Sequence, residues 1–200
     1  MGSTFAVYLE LGARHIADLS GYDHILFVAA LVVAWPVSAW RRLLVLVTAF
    51  TVGHSITLVL ATLQLLAVNA SWIEFLIPVT IALTALGAIV QQQRDPDPAV
   101  SDARSFTARY VGAAAFGLIH GLGFSTFLRA ALGQEESLFV PLLAFNLGLE
   151  FGQVAIVGGV LALGVVASRV LRVPRRVWVI GVSLLILLAA LRMAADRLPS

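Results

Sequence analysis

The sequence predicts an all-α fold: a polytopic membrane helix bundle with six transmembrane helices and a short N-terminal helix that is interfacial or re-entrant. Three observations predict it: an apolar composition, six long apolar stretches, and arginines concentrated in alternate loops. Of the 200 residues, 60% are hydrophobic and 12% are charged, and the mean hydropathy is +0.97. These values are typical of integral membrane proteins. The whole chain, residues 1–200, is expected to form one transmembrane domain.

Charge and residue types exclude several classes of protein. The net charge is +2, and all 13 basic residues are arginines. Most of them lie in short loops, whereas nucleic-acid binding requires a clustered basic face, so no nucleic-acid partner is expected. The chain has no cysteine, which excludes disulfides, thiolate metal sites and cysteine nucleophiles. No basic region precedes a long apolar run at the N-terminus, so no cleavable leader is expected.

Six stretches approach the length of about 20 apolar residues that spans a bilayer core. They are Tyr22–Ala39, Leu43–Val68, Trp72–Val90, Tyr110–Leu132, Leu138–Ser168 and Val177–Ala195. The stretch Phe5–Leu19 is shorter and carries four charged or titratable side chains. We interpret it as the interfacial or re-entrant helix, with a seventh span as the lesser alternative.

The arginines predict the orientation of the bundle. Nine fall on one side of the predicted spans and four on the other. The nine are Arg41, Arg42, Arg94, Arg104, Arg109, Arg169, Arg172, Arg175 and Arg176; the four are Arg14, Arg129, Arg192 and Arg197. By the positive-inside rule, the arginine-rich side is cytoplasmic. We therefore expect an inner (plasma) membrane protein, in contact with the lipid bilayer, with both termini outside.

Histidine and carboxylate side chains interrupt the apolar stretches. His24 follows Asp23 at the head of the first, His54 and His120 lie near the middle of the second and fourth, and Glu150 lies in the fifth. Ionisable groups at membrane depth are costly to bury and indicate functional sites. Imidazole and carboxylate ligands suit divalent transition metals. The five residues are therefore predicted to share a site for Ni²⁺, Co²⁺ or Zn²⁺.

Structural roles remain open for the same residues. Asp23 is able to cap its helix, and His54 is able to form a hydrogen bond between helices. Close helix packing explains the glycines Gly117 and Gly121, which flank His120. A different use of Asp23 is to orient a metal-bound imidazole of His24 through a hydrogen bond.

Polar side chains also form rows along two predicted helices. Thr51 and Ser55 flank His54, while Asn146 and Gln153 lie on the same helix face as Glu150. A membrane helix keeps such a row against a polar partner or a water-filled cavity. We expect Thr51, Ser55, Asn146 and Gln153 to line a substrate pathway, with hydroxyl-mediated helix packing as the alternative.

Four segments in this order resemble the HupE/UreJ family of membrane proteins. They are Gly21–Phe27, Thr48–Leu58, Phe116–Phe124 and Phe145–Gln153. The chain resembles a divergent second branch of that family. The resemblance implies nickel or cobalt uptake, and it implies that His15 and Asp23-His24 fill the role of the family's histidine–aspartate–histidine signature.

Two functions follow as hypotheses. The first is a divalent transition-metal permease with an intramembrane site, since transporters commonly bind substrate near the midplane between helices. The alternative is an intramembrane zinc hydrolase, in which Asp23, Glu150 and Ser55 would be the catalytic candidates. No zincin motif and no nucleotide-binding motif is present in the sequence. A homo-oligomer is compatible with either function.

Overall fold

The computed structural model describes residues 3–66, 68–94, 103–133 and 137–199, and within these ranges every regular element is a helix. A 3₁₀ turn, Val37–Ala39, precedes α3, and a π-helical turn, Val166–Val170, follows α7. The α-helices in these ranges are α1 (Thr4–Ile16), α2 (Asp23–Val32), α3 (Trp40–Thr62), α4 (Ala70–Arg94), α5 (Ala103–Gly123), α6 (Ser125–Leu132), α7 (Phe139–Val165) and α8 (Arg175–Asp196).

Four helical segments in the described ranges are long and apolar enough to cross a membrane: Val37–Thr62, Ala70–Arg94, Phe139–Val170 and Arg175–Asp196. The prediction of an all-α membrane protein is confirmed. The count of six spans stays a prediction, because the other two predicted spans consist of shorter helices.

The predicted span Tyr22–Ala39 contains only a ten-residue helix, α2. Its helical hydrogen bonds stop near Trp35, whose amide donates to the carbonyl of Val32. The next residue is Pro36, which has no amide hydrogen and disfavours helical geometry in the residue before it. The freed carbonyl of Ala34 accepts a hydrogen bond from Nη2 of Arg175 at 2.5 Å. A basic side chain from α8 thus completes this end of α2.

The predicted span Tyr110–Leu132 is likewise not one helix. α5 ends at Gly123, and α6 begins at Ser125 after a turn at Phe124, which has φ −102° and ψ −6°. Glycine is unfavourable inside a helix because it loses the most backbone freedom on folding, and Gly121 and Gly123 precede the break. At Gly123 the missing side chain also admits Ile77 of α4, whose Cδ1 would lie 2.8 Å from an added Cβ.

Glycines bring α3 and α5 into backbone contact. A Cβ on Gly53 would overlap the carbonyl oxygen of Ala114, and one on Gly117 would overlap that of Phe50. A Cβ on Gly121 would overlap the carbonyl oxygen of His54. Gly117 meets Phe50, and four residues later in both helices Gly121 meets His54. The two helices α3 and α5 therefore run parallel. This approach is possible only with small residues at the crossing.

The same arrangement joins α1 to α7. A Cβ on Gly12 would overlap the carbonyl oxygen of Phe145, and one on Gly148 would overlap that of Leu9. Gly152 lies against Ala13 and Ile16. α1 therefore packs lengthwise and parallel against a spanning helix. Of the alternatives considered for Phe5–Leu19, this packing disfavours a helix that lies on the membrane surface.

We expect Gly53→Ala to destabilise the fold by about 1–3 kcal/mol, because the added methyl group meets backbone that cannot yield. Gly158→Ala in α7 is the matched control: no atom lies within 4 Å of its added Cβ. The control should be neutral or stabilising by up to about 1 kcal/mol, since alanine favours a helix over glycine. Thermal unfolding in detergent measures both changes. Equal stability of the two variants would contradict the close contact between α3 and α5 at Gly53.

Candidate metal-binding site

Four histidine side chains from four helices meet in one place. His15 ends α1, His24 begins α2, His54 lies in α3 and His120 in α5. The ring centroid of His24 lies 4.7 Å from that of His15, 5.7 Å from His54 and 5.1 Å from His120. The centroids of His15 and His54 are 6.1 Å apart. His54 and His120 have no exposed surface, and His24 is 5% exposed.

His24 is oriented by the residue before it. Its Nδ1 lies 2.9 Å from Oδ1 of Asp23, which also accepts the His24 backbone amide at 2.8 Å. The other carboxylate oxygen of Asp23 pairs with Arg197 at 3.6 Å. An Nδ1–H that donates to the carboxylate leaves Nε2 as the bare nitrogen, and Nε2 is buried without a hydrogen-bond partner. The expected carboxylate–imidazole contact is present.

His120 is oriented from α4. The Thr80 hydroxyl donates to the carbonyl of Ile77 at 2.7 Å and lies 2.9 Å from His120 Nε2. A hydroxyl has one hydrogen, so Nε2 carries the proton and donates to Thr80. Nδ1 is then bare, and it is buried without a partner. Sequence reasoning missed Thr80; the nearby Pro78, which interrupts the hydrogen bonds of α4, was the available signal.

The two remaining histidines have less fixed surroundings. Neither ring nitrogen of His54 has a hydrogen-bond partner, and neither does Nε2 of His15. The His15 ring lies against Phe124, with centroids 3.7 Å apart, and Phe124 stacks on Phe145 at 5.4 Å. His15 is therefore covered by the turn between α5 and α6.

His15 was absent from the predicted set of metal ligands, although the family resemblance implied a role for it, and its helix was predicted to be interfacial or re-entrant. The packing of α1 along α7 brings His15 beside His24 and His54. A signal existed in the sequence: Gly12 precedes His15 by three residues, just as Gly117 precedes His120. In both cases the glycine marks a close helix crossing that carries the histidine inward.

The structure brings together Asp23, His24, His54 and His120 and places Glu150 in a second polar group. Thr48 donates a hydrogen bond to Oε1 of Glu150 at 2.5 Å. Thr48 is six residues from His54, which is about 9 Å along the helix axis. The contacts of Glu150 thus differ from the predicted contact with histidines.

This second group joins the two predicted polar rows. Ser55 donates to Oδ1 of Asn146 at 2.5 Å, and Thr51 donates to Oε1 of Gln153 at 2.8 Å. Gln153 is fully buried, and its Nε2 has no partner. The rows on α3 and α7 therefore face each other directly.

The histidine cluster combines donor atoms with an apolar surround. Phe27 and Phe50 lie 5.0 and 5.2 Å from the ring of His120, measured between centroids. Buried polar atoms in folded proteins nearly always have a partner, so five imidazole nitrogens without a hydrogen-bond partner in one place require an explanation. In the described part of the chain, no three His, Asp or Glu side chains are arranged to hold a metal ion as they stand.

Comparison with known proteins identifies the family. Residues 1–197 match the family described as HupE / UreJ protein, a family linked to nickel and cobalt transport. No curated protein and no solved structure matches the chain. The match covers nearly the whole chain, including all four histidines and both polar rows. The chain is therefore a membrane protein of the HupE/UreJ family.

Proposed function

We propose that this protein is a permease for a divalent transition-metal ion, Ni²⁺ or Co²⁺, which it binds as substrate at the four-histidine cluster. The observation that carries the proposal is the convergence of His15, His24, His54 and His120, with five unpartnered nitrogens. Neutral imidazole binds nickel, cobalt and zinc, whereas carboxylate and water alone favour magnesium or calcium. A fully imidazole set therefore selects the transition metals.

The spacing of the rings suits a shared ion. Metal–imidazole nitrogen bonds are about 2.0–2.1 Å long, so rings around one tetrahedral ion have centroids about 5 Å apart. Four of the six distances between ring centroids run from 4.7 to 6.1 Å. His54, whose two ring nitrogens have no hydrogen-bond partner, would turn one of them toward the ion. Asp23 and Thr80 would hold two of the rings in place through their second nitrogens.

Polar side chains mark an approach to the cluster on one side. A cavity of about 820 Å³ reaches His15 and Phe124, and its wall includes Glu10 and Asp18. Glu10 is paired with Arg14 at 2.6 Å, whereas Asp18 accepts a hydrogen bond from the Ser20 amide. Carboxylates at this mouth would attract a divalent cation.

The polar rows of α3 and α7 continue from the cluster toward the beginning of α3. Here Thr51, Ser55, Asn146 and Gln153 line the route, and Glu150 is the one acidic group among them. Oxygen ligands in series would pass the ion on after it leaves the histidines. Glu150, which was predicted to share the histidine site, would instead bind the ion after it leaves the histidines.

A six-crossing topology fits these contacts. α1 runs parallel to α7 as far as His15, and α2 runs from Asp23 to the end near Trp35, where Arg175 and Arg109 meet it. We infer that α1 and α2 are two halves of one crossing, interrupted at the histidine cluster. Transporters often place substrate at such breaks. The arginine end is then cytoplasmic, in the inner membrane, and both termini are outside.

The hydrolase alternative has less support. The hydroxyl of Ser55, a candidate nucleophile, lies within hydrogen-bond distance of Oδ1 of Asn146 and of the carbonyl oxygen of Thr51, and within the described residues it forms no hydrogen bond with a histidine. Asp23 is engaged by His24 and Arg197. Tightly held zinc that does not exchange, together with peptide or ester hydrolysis that depends on it, would favour the enzyme.

Replacing each histidine by asparagine should lower the affinity for Ni²⁺ or Co²⁺ by about 100-fold or more, since even residues that only orient a ligand contribute 10–100-fold. Asp23→Asn and Thr80→Val should fall within that smaller range. Calorimetry on protein purified in detergent measures both sets of variants.

The control for these variants is Ser183→Ala. Ser183 is a fully buried hydroxyl of α8 without a partner, and it lies outside the cluster. The Ser183→Ala variant should bind metal with the same affinity as the unmodified protein. If His54→Asn and His120→Asn also bound Ni²⁺ normally, while remaining folded, the proposed site would be wrong.

Metal binding should weaken as the pH falls. A protonated imidazole cannot bind a metal, and the unperturbed pKa of imidazole is about 6.5. Protons therefore compete with the metal ion for the imidazole nitrogens below this pKa, and metal binding at such a pH releases protons. Titration of bound ⁶³Ni²⁺ from about pH 8 to about pH 4 tests this direction. Affinity that is constant over the whole range would exclude histidine ligands.

Reporter fusions after Gln92 and at the C-terminus should report opposite sides of the membrane. The first is expected in the cytoplasm and the second outside, because nine of the 13 arginines fall on the proposed cytoplasmic side. Two cytoplasmic reporters would contradict the orientation.

A further inference from the structure

A cleft of about 650 Å³ lies between α2, α4 and α5, away from the histidine cluster. Its charged and amide side chains are gathered at one end, and apart from Thr84 the rest of its wall is apolar. We propose that this cleft binds an anionic phospholipid, with the head group at Arg94 and Arg109 and one acyl chain along the apolar wall.

The polar end of the cleft offers hydrogen-bond donors. Arg94 is in the last turn of α4 and has no ion-pair partner among the described residues. Gln91, one turn earlier, presents a buried Nε2 without a hydrogen-bond partner. Arg109 of α5 lies over the Trp35 ring, 5.2 Å from its centroid. Among the residues that the structure describes, no aspartate or glutamate lines the cleft. Two cations and an amide donor suit a phosphate, and they oppose the passage of a divalent cation.

The depth of this end matches that of a lipid head group. Arg94 closes a spanning helix, and Arg42 and Arg175 begin two others. Arg42 contacts the ring of Phe106 near the start of α5, and Arg175 contacts the carbonyl of Ala34. These contacts place all three helix ends at one membrane face. Basic pockets between helices at a cytoplasmic face attract anionic lipids.

The apolar wall leaves room for a chain. Leu83, Leu86 and Val90 of α4 are 52%, 46% and 37% exposed, so the cleft opens toward lipid. Gly87 and Gly112 also line it, and no atom lies within 4 Å of a Cβ added to either. Leu83, Gly87 and Gln91 follow each other at four-residue spacing, which is one face of a helix. This face leads directly from the apolar wall to the donors.

Trp35 lines the cleft and reports its occupancy. In a variant with Trp40, Trp72 and Trp178 replaced by phenylalanine, we expect saturable quenching of Trp35 by brominated phosphatidylglycerol in detergent. Brominated phosphatidylcholine with the same chains should bind at least tenfold more weakly. Gly87→Leu should abolish the quenching by filling the cleft, and Arg94→Gln should reduce the preference for phosphatidylglycerol.

The matched control is Gly158→Leu, which also adds a side chain into open space but does not line the cleft. It should leave the quenching unchanged. Equal quenching by the two lipids, or full quenching in Gly87→Leu, would overturn the proposal. A brominated fatty acid that binds as tightly as phosphatidylglycerol would show that a free anion, and not a phospholipid, is the ligand.

If the variant with a single tryptophan does not fold, native mass spectrometry of the otherwise unmodified chain gives the same test. Bound phosphatidylglycerol should survive in Gly158→Leu and disappear in Gly87→Leu. Retention in both variants would place the lipid outside the cleft.

Discussion

Backbone contact between helices at glycine is the constraint on which the candidate site depends. Gly53, Gly117 and Gly121 allow α3 and α5 to touch, and the same crossing carries His54 and His120. Gly12 does the equivalent for α1 and His15. A larger residue at any of these positions would separate the helices and the rings. The close packing of the helices therefore also determines the positions of the histidine rings.

Two of the clustered histidines are oriented by hydrogen bonds, and His54 is not. Asp23 and Thr80 each satisfy one nitrogen of a histidine and so determine which nitrogen stays bare. His54 has no such partner, although it is fully buried. Leaving these nitrogens unpaired costs folding free energy, because buried polar groups lose their bonds to water. A protein retains such a cost where the groups have a ligand to bind.

Much of this arrangement could be predicted from local sequence. Polar residues in apolar stretches identified Asp23, His24, His54 and His120, because membrane depth makes such residues exceptional. Helical spacing placed Asn146, Glu150 and Gln153 on one face, and the structure pairs that face with the hydroxyls of α3.

What could not be predicted depends on contacts between distant segments. The contact of His15 with the other histidines depends on how α1 packs, and that packing is set by glycines of α7 more than 130 residues away. The contact of Thr80 with His120 depends on how α4 faces α5, which periodicity does not determine. The breaks after Trp35 and at Phe124 were hidden because an apolar composition continues through both. Length and hydropathy therefore predicted single continuous helices for Tyr22–Ala39 and Tyr110–Leu132, where the structure has breaks.

X-ray absorption spectroscopy of the protein loaded with Ni²⁺ or Co²⁺ tests the central claim most directly. Bound metal should show nitrogen ligands at about 2 Å with the outer-shell scattering of at least three imidazole rings. His15→Asn and His120→Asn should each remove one ring from that signal. A shell made of oxygen alone, or one unchanged in both variants, would contradict a four-histidine metal site.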